Sequence, residues 1–261
     1  MNILELEMVE ILKKLKVEYG VIEIKAEFEA EGSRIEEMMR LKDVVDAVNL
    51  PIILKIGGAE AVTDVYNGII LGVRGLIAPM VETSYAVYKY LCIIEKLIQP
   101  DNRAQIDFAI NIETITAVEN IDSILALDKI DLLSSITFGR SDFVQSMGLS
   151  KSEVNSDIVY EHVKRIATLA KEKNLKFAIG GNVTKNSIEF IKALYNEKLI
   201  HKYETRKVVF EVSSIKKNPE DGLELALNFE LLWLKSKRRF YSKIKEEDEH
   251  RIADLEKRIK I

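Results

Sequence analysis

The chain has 261 residues, 47% of them hydrophobic and 31% charged, enough apolar material for one large core. Its net charge of −4 supplies no basic field, which argues against nucleic acid as a partner. Cys92 is the only cysteine, so an intramolecular disulfide and a thiolate metal cluster are both excluded. The first residues carry Glu5 and Glu7 where a secretion signal needs bases, and no apolar run is long enough to span a bilayer. The expectation is a cytoplasmic protein without a membrane partner.

In chain order, Ile3–Val17 predicts a helix with no strand before it. A strand over Tyr19–Lys25 follows, then a helix over Ile35–Val48. Strands over Ile52–Ile56 and Leu76–Ala78 precede a helix over Ser84–Leu97. Next come strands over Gln105–Ile112 and Leu132–Phe138, and a helix over Ile158–Lys173 with Asp157 as its cap. A strand over Lys176–Ile179, a helix over Ser187–Asn196 capped by Thr184 or Asn186, and a strand over Lys207–Val212 complete the alternation. After Pro219 a long helical segment runs to the end, apolar over Leu223–Trp233 and charge-rich from Lys235, with Phe240, Ile244, Ile252, Leu255 and Ile259 interspersed. Their spacing is not a clean heptad.

Strands alternating with helices mean a parallel sheet with helices outside. At this length the pattern points to a closed (β/α)8 barrel. Seven strands are legible where eight are needed, so either a short first strand hides in Met1–Leu4 or the barrel is incomplete there. The predicted organisation is one domain over 1–261, with an N-terminal helix in 1–18 and a helical extension over 223–261.

Chemistry on a parallel barrel sits at the C-terminal ends of the strands. Those ends are polar here: Lys25-Ala26-Glu27-Phe28-Glu29, Lys55-Ile56-Gly57-Gly58, Asn111-Ile112-Glu113-Thr114, Gly139-Arg140-Ser141-Asp142, Gly180-Gly181-Asn182 and Glu211-Val212-Ser213-Ser214. Glu113 and Asp142 end consecutive strands, a pair that suits a hard divalent cation. Lys55 is an unusual residue between Leu54 and Ile56, which marks it for the site. Lys25, Glu27 and Arg34 could equally form an ion network at the rim. The Gly-Gly pairs read as tight turns, or as backbone cradles for a phosphate. Glu204-Thr205-Arg206-Lys207 precedes the last strand and is assigned to the opposite, non-catalytic face.

Three blocks carry a resemblance. Gly75-Leu76-Ile77-Ala78-Pro79-Met80-Val81-Glu82, Ile112-Glu113-Thr114 with Ala117-Val118, and Phe138-Gly139-Arg140-Ser141-Asp142-Phe143 with Gly148 stand in order. Together they resemble the HpcH/HpaI aldolase and citrate lyase β-subunit family, over about Tyr19 to Val212. The resemblance implies a TIM barrel of the phosphoenolpyruvate/pyruvate-binding group that makes or breaks a C–C bond beside an enolate. It implies Glu113 and Asp142 as ligands of Mg²⁺ or Mn²⁺. It also implies Asn111, Gly139, Arg140 and Ser141 around a 2-oxo acid, with backbone amides near Ser141 and Asp142 holding its carboxylate. It and the long tail suggest a homo-oligomer.

Two departures stand out. Lys55 occupies the position where the family's aldolases carry arginine, giving charge without a bidentate fork. Glu27-Phe28 stands where they carry Glu-His, and His162, His201 and His250 all fall in helices or connections. Proton transfer then falls to Glu27, Glu29, Lys25, Lys55 or a water on the metal. The expected activity is a metal-dependent C–C lyase or aldolase acting through the enolate of pyruvate or a related 2-oxo acid. In it Lys55 stabilises the enolate, and Glu27 or Lys25 moves the proton. The alternatives are a non-catalytic metal- and oxo-acid-binding barrel, or an enzyme for a phosphate-bearing substrate such as phosphoenolpyruvate.

Overall fold

A computed structural model of the chain describes residues 1–259. Helix α1 (Ile3–Glu18) leads into β1 (Val21–Glu27), α2 (Ile35–Asp46), β2 (Ile52–Lys55), α3 (Val62–Leu71), β3 (Gly75–Ala78), α4 (Ser84–Leu97) and the single turn α5 (Pro100–Arg103). There follow β4 (Asp107–Ile112), α6 (Ile115–Glu119), α7 (Ile121–Leu125), β5 (Ser135–Gly139), α8 (Arg140–Ser146), α9 (Asp157–Glu172), β6 (Lys176–Gly180) and α10 (Ile188–Asn196). Strands β7 (Lys202–Glu204) and β8 (Val208–Glu211) precede the last helix, α11 (Pro219–Ile259). The eight strands close into a barrel in sequence order. No helix among the described residues is long and apolar enough to cross a membrane.

The barrel is complete, and its missing strand is not in Met1–Leu4, where α1 begins. It is β7, three residues reading Lys-Tyr-Glu, too short and too charged to stand out as an apolar run. Strands β1 to β7 are parallel, whereas β8 runs antiparallel to both β7 and β1. A tight turn replaces the last crossover helix. Thr205 N–H donates to Val208 O at 2.9 Å, and Val208 N–H donates to Thr205 Oγ1 at 3.1 Å. This reversal corrects two expectations. Glu204, Thr205 and Arg206 lie at the catalytic rim rather than opposite it, and Glu211–Ser214 lie at the other end.

Other boundaries move by a residue or two. β1 extends to Glu27, so Lys25 and Glu27 both lie within a strand. The cap of α9 is Ser156, with Asp157 as its first residue. Thr184, not Asn186, caps the short turn before α10. The predicted extension reached 261; positions 260–261 lie outside the described residues.

Alternation along the strands separates two cores. Ile24, Ala26, Leu54, Leu76, Ile110, Ile136 and Ile179 face the helix layer. Inside the barrel, Ile53, Ile77, Ala109 and Val209 form a small apolar plug. Above it the inward positions turn polar: Lys25 and Glu27, Lys55, Asn111, Thr137 and Glu204.

Helix α1 packs against α11, and its start is locked by buried polar groups. Asn2 and Glu5 form a capping box. Asn2 Nδ2 donates to Ser236 Oγ at 2.9 Å, Ser236 Oγ to Glu5 Oε1 at 3.1 Å, and Arg40 Nε to Glu5 Oε1 at 2.8 Å. One carboxylate thus ties α1, α2 and α11. Burial alone would raise the Glu5 pKa; the bonds from Arg40, the Asn2 amide and Ser236 outweigh it and hold the carboxyl below its ordinary value. Because folding lowers this pKa, the contribution is complete above the ordinary carboxylate range and is lost as pH falls through the folded value. Glu5→Gln should cost about 1.5–3 kcal/mol in urea unfolding at neutral pH. It should also flatten the loss of stability between neutral and acidic pH; an unchanged pH profile would assign that loss to other groups.

Candidate active site

Strand ends β1, β2, β4, β5, β6 and β7 together line a cavity of about 250 Å³ at the C-terminal mouth of the barrel. Of the residues expected there, Lys25, Glu27, Lys55, Asn111, Glu113, Gly139, Ser141 and Asp142 all line it. Asp142 lies in the first turn of α8, and Glu113 directly follows β4.

Glu113 is 2% exposed, and its carboxylate is fixed from several sides. Met80 N–H donates to Oε1 at 2.9 Å, and Asn111 Nδ2 donates to Oε2 at 3.2 Å. Lys55 Nζ stands 3.7 Å from Oε1. Met80 takes a left-handed backbone (φ 51°) in the Pro-x-Val-Glu segment, whose amide therefore buttresses the carboxylate. Gly139 supplies the room: a Cβ there would meet Glu113 Oε2 at 2.5 Å and Glu113 Cβ at 2.7 Å. Thr114 Oγ1 accepts from Ala117 N–H at 3.1 Å, so the Glu-Thr pair places a carboxylate and then caps the next helix.

Burial raises the Glu113 pKa, Asp142 adds to the effect, and Lys55 and the Met80 amide offset only part of it. A carboxyl so placed calls for a cation. The two lysines are held the other way. Burial pulls the Lys25 pKa down, but Glu204 and Glu27 outweigh it; for Lys55, Glu113, Glu29 and Glu27 do the same. Lys25 Nζ bonds Glu204 Oε1 at 2.5 Å and stands 3.6 Å from Glu27 Oε1, while Lys55 Nζ is 3.0 Å from Glu29 Oε2. In both, the carboxylate neighbours favour the ammonium form.

Arg140 is also placed differently from its expectation. It is 0% exposed and turned from the cavity. Its Nε donates to Gly180 O and one Nη to Gly181 O, both at 3.1 Å, and the other Nη donates to Asn155 Oδ1 at 2.7 Å. The guanidinium also lies 4.9 Å from the centre of the Phe190 ring. Burial brings its pKa down to about 9. Arg140 thus clamps the Gly180-Gly181 turn onto α8, where a Cβ at Gly181 (φ +79°) would come within 2.4 Å of Ser141 N. The other glycine pair is not in the cavity lining, and Gly57 N–H is taken by Asp64 Oδ2 at 2.7 Å.

Arg34, weighed as part of a rim network with Lys25 and Glu27, instead lies over the Tyr241 ring at 4.9 Å. Arg206 takes that place, 3.8 Å from Glu27 and 3.1 Å from Glu31. Glu204 and Arg206 are the functional candidates the sequence reading missed. A run in which Lys202 and Glu204 share one face with Tyr203 between them is the signal that marks a strand with a charged inner side. No histidine lines the cavity. His162 packs edge-on against Phe143, His201 Nδ1 accepts from Phe177 N–H at 3.1 Å, and His250 is exposed on α11.

No three His, Cys, Asp or Glu side chains among the described residues are gathered as a metal cluster. The oxygens in the cavity nonetheless suit a hard cation. Glu113 and Asp142 offer two carboxylates, and Asn111 Oδ1 is buried with no hydrogen-bond partner. Two carboxylates and an amide oxygen leave the remaining positions of a six-coordinate ion to water or substrate.

A closed barrel with an acidic, lysine-bearing mouth defines a TIM-barrel protein with its site at the strand ends. Residues 34–192, more than half the chain, match the family model described as HpcH/HpaI aldolase/citrate lyase. The chain belongs to that family, whose members are lyases, aldolases or citrate-synthase-like enzymes. No curated protein matches it. Solved structures share its fold: an HpcH/HpaI aldolase from Desulfitobacterium hafniense DCB-2 aligns with 14% identity and a TM-score of 0.61, covering 85% of this chain and 88% of its own. An HpcH/HpaI aldolase/citrate lyase family protein from Burkholderia cenocepacia J2315 aligns with 13% identity and a TM-score of 0.61, covering 92% and 90%. The citrate synthase SbnG aligns with 18% identity and a TM-score of 0.61, covering 85% and 88%.

Arg140→Met should lower stability by about 3 kcal/mol or more, because several buried carbonyls lose their donor. Denaturant melts measure this; unchanged stability with weaker substrate binding would instead return Arg140 to direct contact with substrate.

Proposed function

We propose that this chain is a divalent-metal-dependent C–C lyase acting on a 4-hydroxy-2-oxo acid, through the enolate of pyruvate or a close relative. The observation that carries this reading is the buried, unpartnered Asn111 Oδ1, in a cavity that the Glu113 and Asp142 carboxylates also line. Glu113, Asp142 and Asn111 would hold Mg²⁺ or Mn²⁺, with Ser141 and the first amides of α8 beside the substrate carboxylate. When bound, the ion supplies Lewis-acid polarisation of the 2-oxo group.

The charges of the lining fit this assignment. Lys25, Lys55, Lys151 and Arg206 balance Glu27, Glu113, Asp142 and Glu204. A divalent cation then leaves two positive charges, matching the dianion formed when a 2-oxo carboxylate becomes an enolate. In cleavage, the C3–C4 bond breaks and its electrons move toward the C2 oxygen. The 4-hydroxyl proton passes to a carboxylate, and the aldehyde leaves. Glu27 is the acceptor we assign, being 5% exposed and held between Lys25 and Arg206. Lys55, fixed by Glu29 and Glu113, is the ammonium beside the developing oxyanion. Returning the proton to C3 releases the 2-oxo acid and resets Glu27.

Pyruvate in D₂O should lose its methyl proton signal in the presence of the protein and Mg²⁺ or Mn²⁺. Asp142→Asn should slow this about 100-fold or more while leaving the fold intact. Lys55→Met should slow it about as much with metal binding retained. Tight metal binding with no exchange for any 2-oxo acid tested would favour a binding protein over a lyase. Competitive inhibition by inorganic phosphate would favour a phosphate-bearing substrate.

A further inference from the structure

Outside the cavity lining, the β7–β8 hairpin carries one more buried cation. Lys207 is 2% exposed, and its backbone is pinned to β1, where Lys25 N–H donates to Lys207 O at 2.8 Å. Its ammonium bonds Glu31 Oε2, and Glu31 is the one carboxylate that pairs with it among the described residues. Arg206 Nε donates to Glu31 Oε1 at 3.1 Å, and Ser33 Oγ donates to Oε2 at 3.4 Å. Both oxygens of a carboxylate whose side chain is 9% exposed are thus taken by the hairpin. Burial alone would raise the Glu31 pKa; Lys207 and Arg206 outweigh it and hold the carboxyl below its ordinary value.

Glu31 stands in the loop that leaves β1. The loop turns on Gly32, which takes a left-handed backbone (φ 54°), and Gly32 N–H donates to Glu29 O at 3.3 Å. Glu29 and Glu31 are therefore two sides of one tight turn, with Ala30 between them in the cavity lining. Their carboxylates meet different partners. Glu31 bonds the hairpin, while Glu29 Oε2 lies 3.0 Å from Lys55 Nζ.

The two pairs differ in strength. The Glu29 side chain is 27% exposed, and an ion pair open to water holds its partners weakly. The Glu31–Lys207 pair is buried, and opening it would leave a lysine charge out of water with no carboxylate partner. The buried side of the turn therefore sets the place of the exposed side.

We propose that Glu31 is a positioning residue: its latch on Lys207 and Arg206 holds the loop after β1 at the mouth, so that Glu29 keeps the Lys55 ammonium in place for reaction. The positioning role rests on the lyase reading above; the latch itself does not.

Glu31→Gln alone leaves Lys207 buried and unpaired, which can unfold the protein. Glu31→Gln combined with Lys207→Met removes both members of the pair and should keep the circular dichroism and melting transition of the barrel. In that double variant, hydrogen exchange read by mass spectrometry should quicken about tenfold or more over residues 28–34, with the strands unchanged. With pyruvate and Mn²⁺ in D₂O, kcat for methyl proton exchange should fall about 30-fold while KM stays within about threefold. Glu29→Gln should lower kcat as much, and adding it to the double variant should slow the reaction no further. Unchanged hydrogen exchange over 28–34 would overturn the latch. Faster hydrogen exchange with an unchanged kcat, or losses that add to those of Glu29→Gln, would overturn the positioning role. A wild-type protein that exchanges no 2-oxo acid would overturn the lyase reading and the positioning role with it, while hydrogen exchange alone still decides the latch.

Discussion

The constraint on which the rest of this structure depends is the charged interior of the barrel mouth. Lys25, Glu27, Lys55, Glu113 and Glu204 are each at most 8% exposed, and they meet within one cavity. Removing such ions from water costs several kcal/mol apiece, and good pairing geometry recovers that only in part. The strands hold the pairs in register: Glu27 beside Lys55 across β1 and β2, and Asn111 beside Thr137 across β4 and β5. The apolar plug beneath and the helix core around supply the stability that this arrangement gives up. In return, the dipoles and charges of the cavity stand in place before any ligand arrives, which is the condition for electrostatic stabilisation of charge that develops in a reaction.

The reversed last strand is the second determinant. A parallel β8 would carry its C-terminal residues to the mouth. The antiparallel one sends Glu211 to the far end and brings the turn at Thr205 and Arg206 into the lining instead. The Lys25–Glu204 pair joins this hairpin to β1 across the barrel interior, while Arg206 and Lys207 bond Glu31 in the loop after β1. Closure of the barrel and the electrostatics of the site are therefore one set of contacts.

Much of this was legible in the sequence, and the failures have physical causes. Strands buried on both faces read as apolar runs, which is why β2 through β6 and the residues at their ends could be placed. The blocks around Glu113 and Asp142 stand out because each couples a strand end to a glycine or a cap with a definite job: Gly139 makes room for Glu113, and Thr114 starts α6. β7 was hidden because its inward residues, Lys202 and Glu204, are charged, so the apolar signal vanished where function placed polar groups. Arg140 misled for a related reason. Its place two residues before Asp142 marks it in the sequence as a substrate-binding residue, but its side chain is spent on the Gly180 and Gly181 carbonyls. Chain adjacency gives position, while side-chain direction depends on contacts forty residues away.

The absence of histidine from the lining narrows the proton chemistry further than the sequence alone could. The carboxylate neighbours of Lys25 and Lys55 favour the ammonium form of each. The acceptors that remain are carboxylates, and their circumstances differ. Glu113 is tied to Met80 and Asn111, and Glu204 is bonded to Lys25. Glu27 has only the looser contacts to Lys25 at 3.6 Å and Arg206 at 3.8 Å, so it can gain a proton without breaking a short bond. Under the proposed function, Glu27, flanked by Lys25 and Arg206, is therefore the carboxylate that takes the proton.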